Sequence, residues 1–224
     1  IEQDPNNAAA YNNRGILRKD LGDKEGAMKD YDKAIELDPN YAAAYNNRGN
    51  LKDDREDKEG AMKDYDKAIE LDPNGAVAYN NRGNLRKDSG NKEGAMKDYD
   101  KAIELDPNYA VAYNNRADLW VIMGELNKAL DDITNAIKLD STYYVSYVTR
   151  GEVYLAMNLP EKAIPEFNHA LSINDSILEV YENRAKCLRK LAESEEDPSK
   201  KADYIAKAEA DEKKAKSLKK EEKK

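Results

Sequence analysis

Pairs of asparagines recur along the first half of the chain: Asn12-Asn13, Asn46-Asn47, Asn80-Asn81 and Asn114-Asn115. Asn50 and Asn84 follow the second and third pairs at a matching offset. A carboxamide carries both donor and acceptor, so a row of them can grip the N–H and C=O groups of an extended peptide. Such a row reads backbone and is nearly indifferent to side chains. Asparagine is a poor helix-interior residue, because its side chain competes for backbone hydrogen bonds. Its recurrence at matched positions therefore needs a reason. Recognition is one. The other is a copied polar face whose amides bond to one another between neighbouring helices.

The other residues able to do chemistry argue against catalysis. His169 is the only histidine and falls at an outward position, and Cys187 is the only cysteine. Cys187 takes the place held elsewhere by Leu17, Leu51, Leu85 and Leu119, which makes it a core thiol. Carboxylates are spread over solvated faces and form no transition-metal pattern with His or Cys. The sequence holds no glycine-rich phosphate loop. Trp120 sits at a packing position. These observations predict no catalytic residue, no metal and no cofactor. A net charge of −8 and a pI near 5.0 argue against nucleic acid, which needs a basic face. No apolar run reaches the roughly 18 residues needed to span a bilayer as a helix. A lone cysteine permits no internal disulfide, which fits a reducing, cytoplasmic compartment.

Along the chain, Asp4-Pro5, Asp38-Pro39, Asp72-Pro73 and Asp106-Pro107 lie 34 residues apart, and Asp140 and Asn174 continue the interval. Tyr11, Tyr45, Tyr79, Tyr113, Tyr147 and Tyr181 share it. A fixed period of this kind means stacked supersecondary units, none of which buries its apolar face alone. The chain is 37% charged with a mean hydropathy of −0.97, a balance that on its own would permit disorder. The periodic apolar residues argue instead for helices with solvated outer faces.

Each unit divides into two helices, A and B. In the first, helix A is expected from about Ala9 to Asp20 and helix B from about Lys24 to Leu37. Gly22 breaks the chain between them, Asp23 caps helix B, and Asp38-Pro39 ends it. Glu56 replaces that turn glycine in the second unit, which predicts a looser turn there. Gly15, Ala27, Ala34 and their equivalents let A and B approach closely. The units run 8–41, 42–75, 76–109, 110–143 and 144–177, with helix A of a sixth at 178–191.

The pattern resembles the tetratricopeptide repeat family over about residues 1–191. Tyr11, Gly15, Gly22, Ala27, Tyr31, Ala34 and Pro39 stand at the family's signature places. The resemblance implies an all-α fold: a right-handed superhelical solenoid of tandem helix-turn-helix repeats, with helix A lining a concave, peptide-holding groove. One departure is systematic. The family carries leucine where this chain has Arg14, Arg48, Arg82, Arg116, Arg150 and Arg184. A charge near the packed side needs a partner, and Asp30, Asp64, Asp98, Asp132 and Glu166 recur on helix B to supply one.

The asparagines belong to the groove face of helix A, which changes character along the chain. Lys19/Asp20, Asp53/Asp54 and Lys87/Asp88 give way to Val121/Ile122 and Leu155/Ala156, joined by Val145 and Val148. Either a polar row runs into an apolar pocket for a partner's anchor residue, or the later units pack more tightly. The cationic clamp for a C-terminal carboxylate found in co-chaperone members is missing. The expected function is a non-catalytic scaffold holding a partner protein or extended peptide segment. The alternative is a structural module associating end to end with copies of itself.

At the ends, residues 1–5 align with the tail of a helix B, as expected of a truncated upstream repeat. Residues 192–224 read as a charged connection, a capping helix from Ala202 to Leu218 with a stripe of Ala202, Ile205 and Ala208, and a frayed tail from Lys219.

Overall fold

The computed structural model describes residues 5–221, and the alignment of residues 1–4 with a helix B lies outside them. The described residues form twelve α-helices and no strand. They fall into two compact units, divided between Asn108 and Tyr109.

The first unit holds three helical hairpins: α1 (Ala8–Asp20) with α2 (Lys24–Leu37), α3 (Ala42–Asp53) with α4 (Lys58–Leu71), and α5 (Ala76–Asp88) with α6 (Lys92–Leu105). Asp23, Asp57 and Asn91 cap the B helices by accepting the N–H groups of Gly26, Gly60 and Gly94. Within a hairpin the helices meet at a glycine. A β-carbon at Gly15, Gly49 or Gly83 would stand 2.6–2.8 Å from the ring of Tyr31, Tyr65 or Tyr99. Those rings are almost fully buried. Between hairpins, Leu51 packs on Ala27 and Tyr31, and Leu85 on Ala61 and Tyr65. Helix A touches helix A (α1 with α3, α3 with α5), whereas α2, α4 and α6 do not touch one another. The A side is therefore the inside of the curve in this unit.

The turn at Glu56 is not looser than the others. Glu56 adopts φ 63°, close to the left-handed 84° of Gly22 and 80° of Gly90. Asp57 N–H reaches Lys52 C=O at 2.9 Å as Asp23 reaches Arg18 at 2.8 Å. The geometry is kept at a steric cost of about 1–2 kcal/mol for a side chain in that region.

The second unit contains α7 (Ala110–Ile122), α8 (Leu126–Leu139), α9 (Tyr144–Ala156), α10 (Pro160–Ile173), α11 (Leu178–Ser194) and α12 (Pro198–Glu221). α7 touches α9 and α9 touches α11, again along the A side. Repeat four exchanges the glycine–aromatic contact for Ala117 and Ile133, both fully buried in one cluster. Repeat five restores it with Gly151 and Phe167.

The end differs from expectation. α12 starts at Pro198 and continues through Glu221, so Lys219–Glu221 are helical, and residues 222–224 lie outside the described range. Its buried residues are Ala208, Asp211, Ala215 and Leu218, while Ala202 is exposed. The spacing Ala208, Asp211, Ala215, Leu218 copies that of Ala27, Asp30, Ala34, Leu37. α12 packs on α11 as a helix B does on its helix A.

Candidate peptide-binding face

Two polar networks organise the repeats, and only one lies on the candidate face. The first is the arginine–carboxylate network. Arg14 donates through Nε and Nη2 to both oxygens of Asp30, at 2.8 and 2.6 Å. Arg48 and Asp64, Arg82 and Asp98, and Arg116 and Asp132 repeat this two-pronged geometry. The carboxylates are buried, and paired, hydrogen-bonded burial is the condition under which such a charge is tolerated. Each arginine also lies over the tyrosine three residues earlier, 5.3–5.8 Å from the ring centre. Arg48 and Arg82 reach back to Asp32 and Asp66 of the preceding repeat, which ties neighbours together.

A further member of this network escaped the sequence reading. Arg18, Lys52 and Arg86, four residues after the first arginine, bring a second cation to Asp30, Asp64 and Asp98 at 2.7–2.9 Å. In repeat four Trp120 stands there, and its indole N–H donates to Asp132 at 3.1 Å. The 34-residue period already placed these residues together. In repeat five the longer Glu166 meets only Nη2 of Arg150, and Nε of Arg150 is buried without a partner. Arg184 finds Asp211 of α12 with both prongs, at 2.8 and 2.6 Å.

The second network is the asparagines. Asn12, Asn80 and Asn114 are buried, and Asn46 is half-buried. Asn13 is exposed; Asn47, Asn81 and Asn115 are half-buried. Asn47 donates to Asn12 Oδ1 at 2.9 Å, and Asn81 to Asn46 Oδ1 at 3.0 Å. The inner asparagine of one repeat thus holds the outer asparagine of the next. Asn50 and Asn84 accept from the hydroxyls of Tyr65 and Tyr99, both at 2.7 Å. Those two amides link helix A to helix B of their own repeat. Asn114 and Asn115 lie in the second unit, where Thr149 takes the place of the next outer asparagine. Asn114 Oδ1 is buried there without a hydrogen bond.

The apolar candidates are mostly packed. Val121 lies against the cluster of Ala117, Ala129, Ile133, Ala136 and Val153. Val148 and Leu155 lie against Ala163, Phe167, Val180 and Cys187. Val145 is half-buried, and Ile122 is 47% exposed. On the same side of the second unit, Glu152 replaces Asn50 and Asn84 of the earlier repeats. Burial pushes its carboxyl up to about 7, with Glu179 and Asp118 adding to the effect and the Asn183 amide opposing it. Cys187 is fully buried, and burial pushes its thiol up to about 11, far from a reactive thiolate. His169 is exposed and packs its ring 4.0 Å from that of Tyr147. Among the described residues no group of His, Cys, Asp and Glu could hold a metal ion, and no helix is long and apolar enough to cross a membrane.

Sequence profiles described as tetratricopeptide repeat match residues 8–41, 42–74, 76–109, 98–131 and 144–177. The chain belongs to the tetratricopeptide repeat family. Tetratricopeptide repeat arrays serve as scaffolds for protein–protein interaction, and this chain shares their tandem helix-turn-helix build. The match at 98–131 runs from a helix B into the following helix A, so it crosses from repeat three into repeat four. No curated protein matches the sequence. Among solved structures, the chain is similar to MamA, with 26% identity and a TM-score of 0.58 over 75% of this chain and 92% of that one. A tetratricopeptide repeat protein from Parabacteroides merdae aligns at 22% identity and a TM-score of 0.71, over 96% of this chain and 80% of that one. YrrB, described as "a TPR protein with an unusual peptide-binding site", aligns at 24% identity and a TM-score of 0.56, over 80% and 93%. The last two likenesses concern the fold.

Proposed function

We propose that the chain is a non-catalytic scaffold that holds an extended segment of a partner protein on its helix-A face. Asn13, Asn47 and Asn81 of the first unit, and Asn115 of the second, take the partner's backbone. We assign this role to the array of residues 6–191 and a closing role to 192–224. One observation carries the reading: the outer amides are set in place by the inner ones. Asn47 and Asn81 each spend one donor on the preceding repeat. An amide has two donors and two acceptor sites, so each keeps capacity for a ligand. A side chain already held in one geometry loses less entropy on binding. The inner row, with Asn50 and Asn84, supports the site from behind.

The test selects binders from a random library of extended peptides, using the intact chain and a variant with Asn13, Asn47, Asn81 and Asn115 changed to alanine. Circular dichroism checks that both are folded. The reading expects peptides of varied side chains, lost or weakened at least tenfold by the variant. Equal capture by both proteins sinks the amide row.

A second reading, association between copies, is favoured by α1. Leu17 is 58% exposed, while Leu51 and Leu85 at the same position are fully buried against a preceding helix B. Ile16 and Leu21 of the same hairpin are exposed as well. Sedimentation of the same unliganded protein decides it: a mass that rises with concentration favours self-association, and a constant monomer mass excludes it.

A further inference from the structure

From the second repeat on, the residue just before helix A is Tyr41, Gly75, Tyr109, Tyr143 and Ile177. Only one is a glycine, and the backbone does not require it. Gly75 has φ −77° and ψ 88°, against φ −81° and ψ 84° at Tyr41. Both values are open to any side chain. What the glycine changes is space.

Tyr41 shows what normally fills that space. Its hydroxyl lies 3.5 Å from Nδ2 of Asn12, so its ring reaches from the start of α3 back to α1. One repeat later Asn46 stands where Asn12 stood, and no ring arrives. A notch of about 300 Å³ remains, walled by Ala42, Ala43, Ala68 and Val77, with Asn46 and Asp72 among its lining. Asn46 Oδ1 is engaged by Asn81. Its Nδ2, the atom corresponding to the one beside the Tyr41 hydroxyl, donates to no group among the described residues. Ala43, Asn46 and Val77 belong to the face assigned to the partner, and Val77 is 48% exposed at the rim.

We propose that this notch receives the phenol ring of a tyrosine in the partner's extended segment. The ring takes the place that Tyr41 holds one repeat earlier, and its hydroxyl accepts from Asn46 Nδ2. Apolar walls favour a ring over a charged side chain. The waiting amide donor favours tyrosine over leucine, which would leave it unmatched. This deepens the peptide-holding reading and rests on it for the source of the ring.

The experiment titrates the full chain with p-cresol, and separately with capped tripeptides Ala-X-Ala in which X is Tyr, Phe, Leu or Lys. Amide NMR shifts of Ala42, Ala43, Asn46 and Val77 are followed. The expected result is saturable shifts with p-cresol and with X = Tyr, binding at least threefold weaker for Phe and tenfold weaker for Leu and Lys. In the Gly75→Tyr variant, which carries its own ring, these shifts vanish while the fold is kept. Shifts from Leu equal to those from Tyr, or shifts that persist in Gly75→Tyr, overturn the proposal. So do notch resonances that move on dilution of the unliganded protein, because a second copy would then be the occupant. The p-cresol arm does not involve Asn13, Asn47, Asn81 or Asn115. Failure of the notch is therefore separable from failure of the amide row.

Discussion

The two units solve the same packing problem with different chemistry. In the first, three nearly identical hairpins repeat a glycine against a tyrosine ring, an arginine fork on a buried aspartate, and amides joined from repeat to repeat. In the second, each device is varied. Ala117 and Ile133 replace glycine and ring, Glu166 replaces an aspartate, Thr149 interrupts the amides, and a half-buried carboxyl enters at Glu152. The variants leave marks: an unpaired Nε on Arg150 and an unpaired Oδ1 on Asn114. In the copied unit no described side-chain nitrogen or oxygen is both fully buried and without a partner. Altering one partner at a time leaves its opposite number behind, which costs more than the bond itself was worth.

The sharpest way to break the contrast is at the carboxylates. Asp98→Ala leaves Arg82 only Asp66 and Arg86 only the Gly94 carbonyl, and is expected to cost about 3 kcal/mol, whereas Glu166→Ala removes a single bond and should cost about 1–2 kcal/mol. Long arrays need not unfold in one step, so each loss is read by amide hydrogen exchange in its own unit. Equal losses at the two sites would show that the second prong adds nothing.

A smaller effect is expected where helices touch. Gly83→Ala drives a methyl into the Tyr99 ring and should cost about 1–3 kcal/mol in urea unfolding. Adding Tyr99→Ile rebuilds the Ala117–Ile133 pair of repeat four inside repeat three. The double variant should then be more stable than the sum of the single changes by about 1 kcal/mol or more. Simple additivity would mean that the two pairs are not interchangeable solutions.

The smallest effect depends on pH. The Glu152 carboxyl titrates near 7 in the folded chain, above its ordinary 4.5. The folded state therefore binds this proton more tightly than the unfolded state. The stability it supports is full below about 4.5 and is lost as pH rises to about 7. Glu152→Gln should match the parent at pH 4 and exceed it by about 1–2 kcal/mol at pH 8. Trp120, in the same unit, is the fluorescence probe. A difference that does not change with pH would place the proton elsewhere.

Much of the fold is legible in the sequence because a 34-residue period superimposes equivalent residues. The helix pairs, the Arg14–Asp30 type of pair and the core position of Cys187 all follow from that superposition. What the period could not settle was the direction of each amide. Asn12 and Asn13 are adjacent in sequence, yet one is buried and the other exposed, and only the neighbouring repeat's Asn47 decides which bond forms. Nor could it show Glu56 accepting a glycine's backbone, since the surrounding helices impose that turn. Whether Val121, Val148 and Leu155 line a pocket or pack stayed open, because the period does not say which side chains of the paired helix B and the next helix A lie against them. The helix-B character of α12 was present in Ala208, Asp211 and Ala215. It was hidden because Arg184 and Asp211 are 27 residues apart, whereas Arg14 and Asp30 are 16 apart.

That last helix governs how such an array can change its copy number. α12 keeps the residues that face its own helix A. At the places of Met28, Tyr31 and Ile35 of α2, α12 carries Glu209, Glu212 and Lys216, and Glu212 accepts from Arg189 of α11 at 3.1 Å. A leucine in the place of Leu51 would meet charge there instead of a tyrosine and a methionine. A further hairpin of the α3–α4 type therefore finds an apolar helix B to stack on at α2 or α4, but not at α12. Appending one behind α12 would bury lysine and glutamate. A hairpin copied beside another of its own kind keeps leucine against tyrosine and methionine, whereas one set against α12 does not.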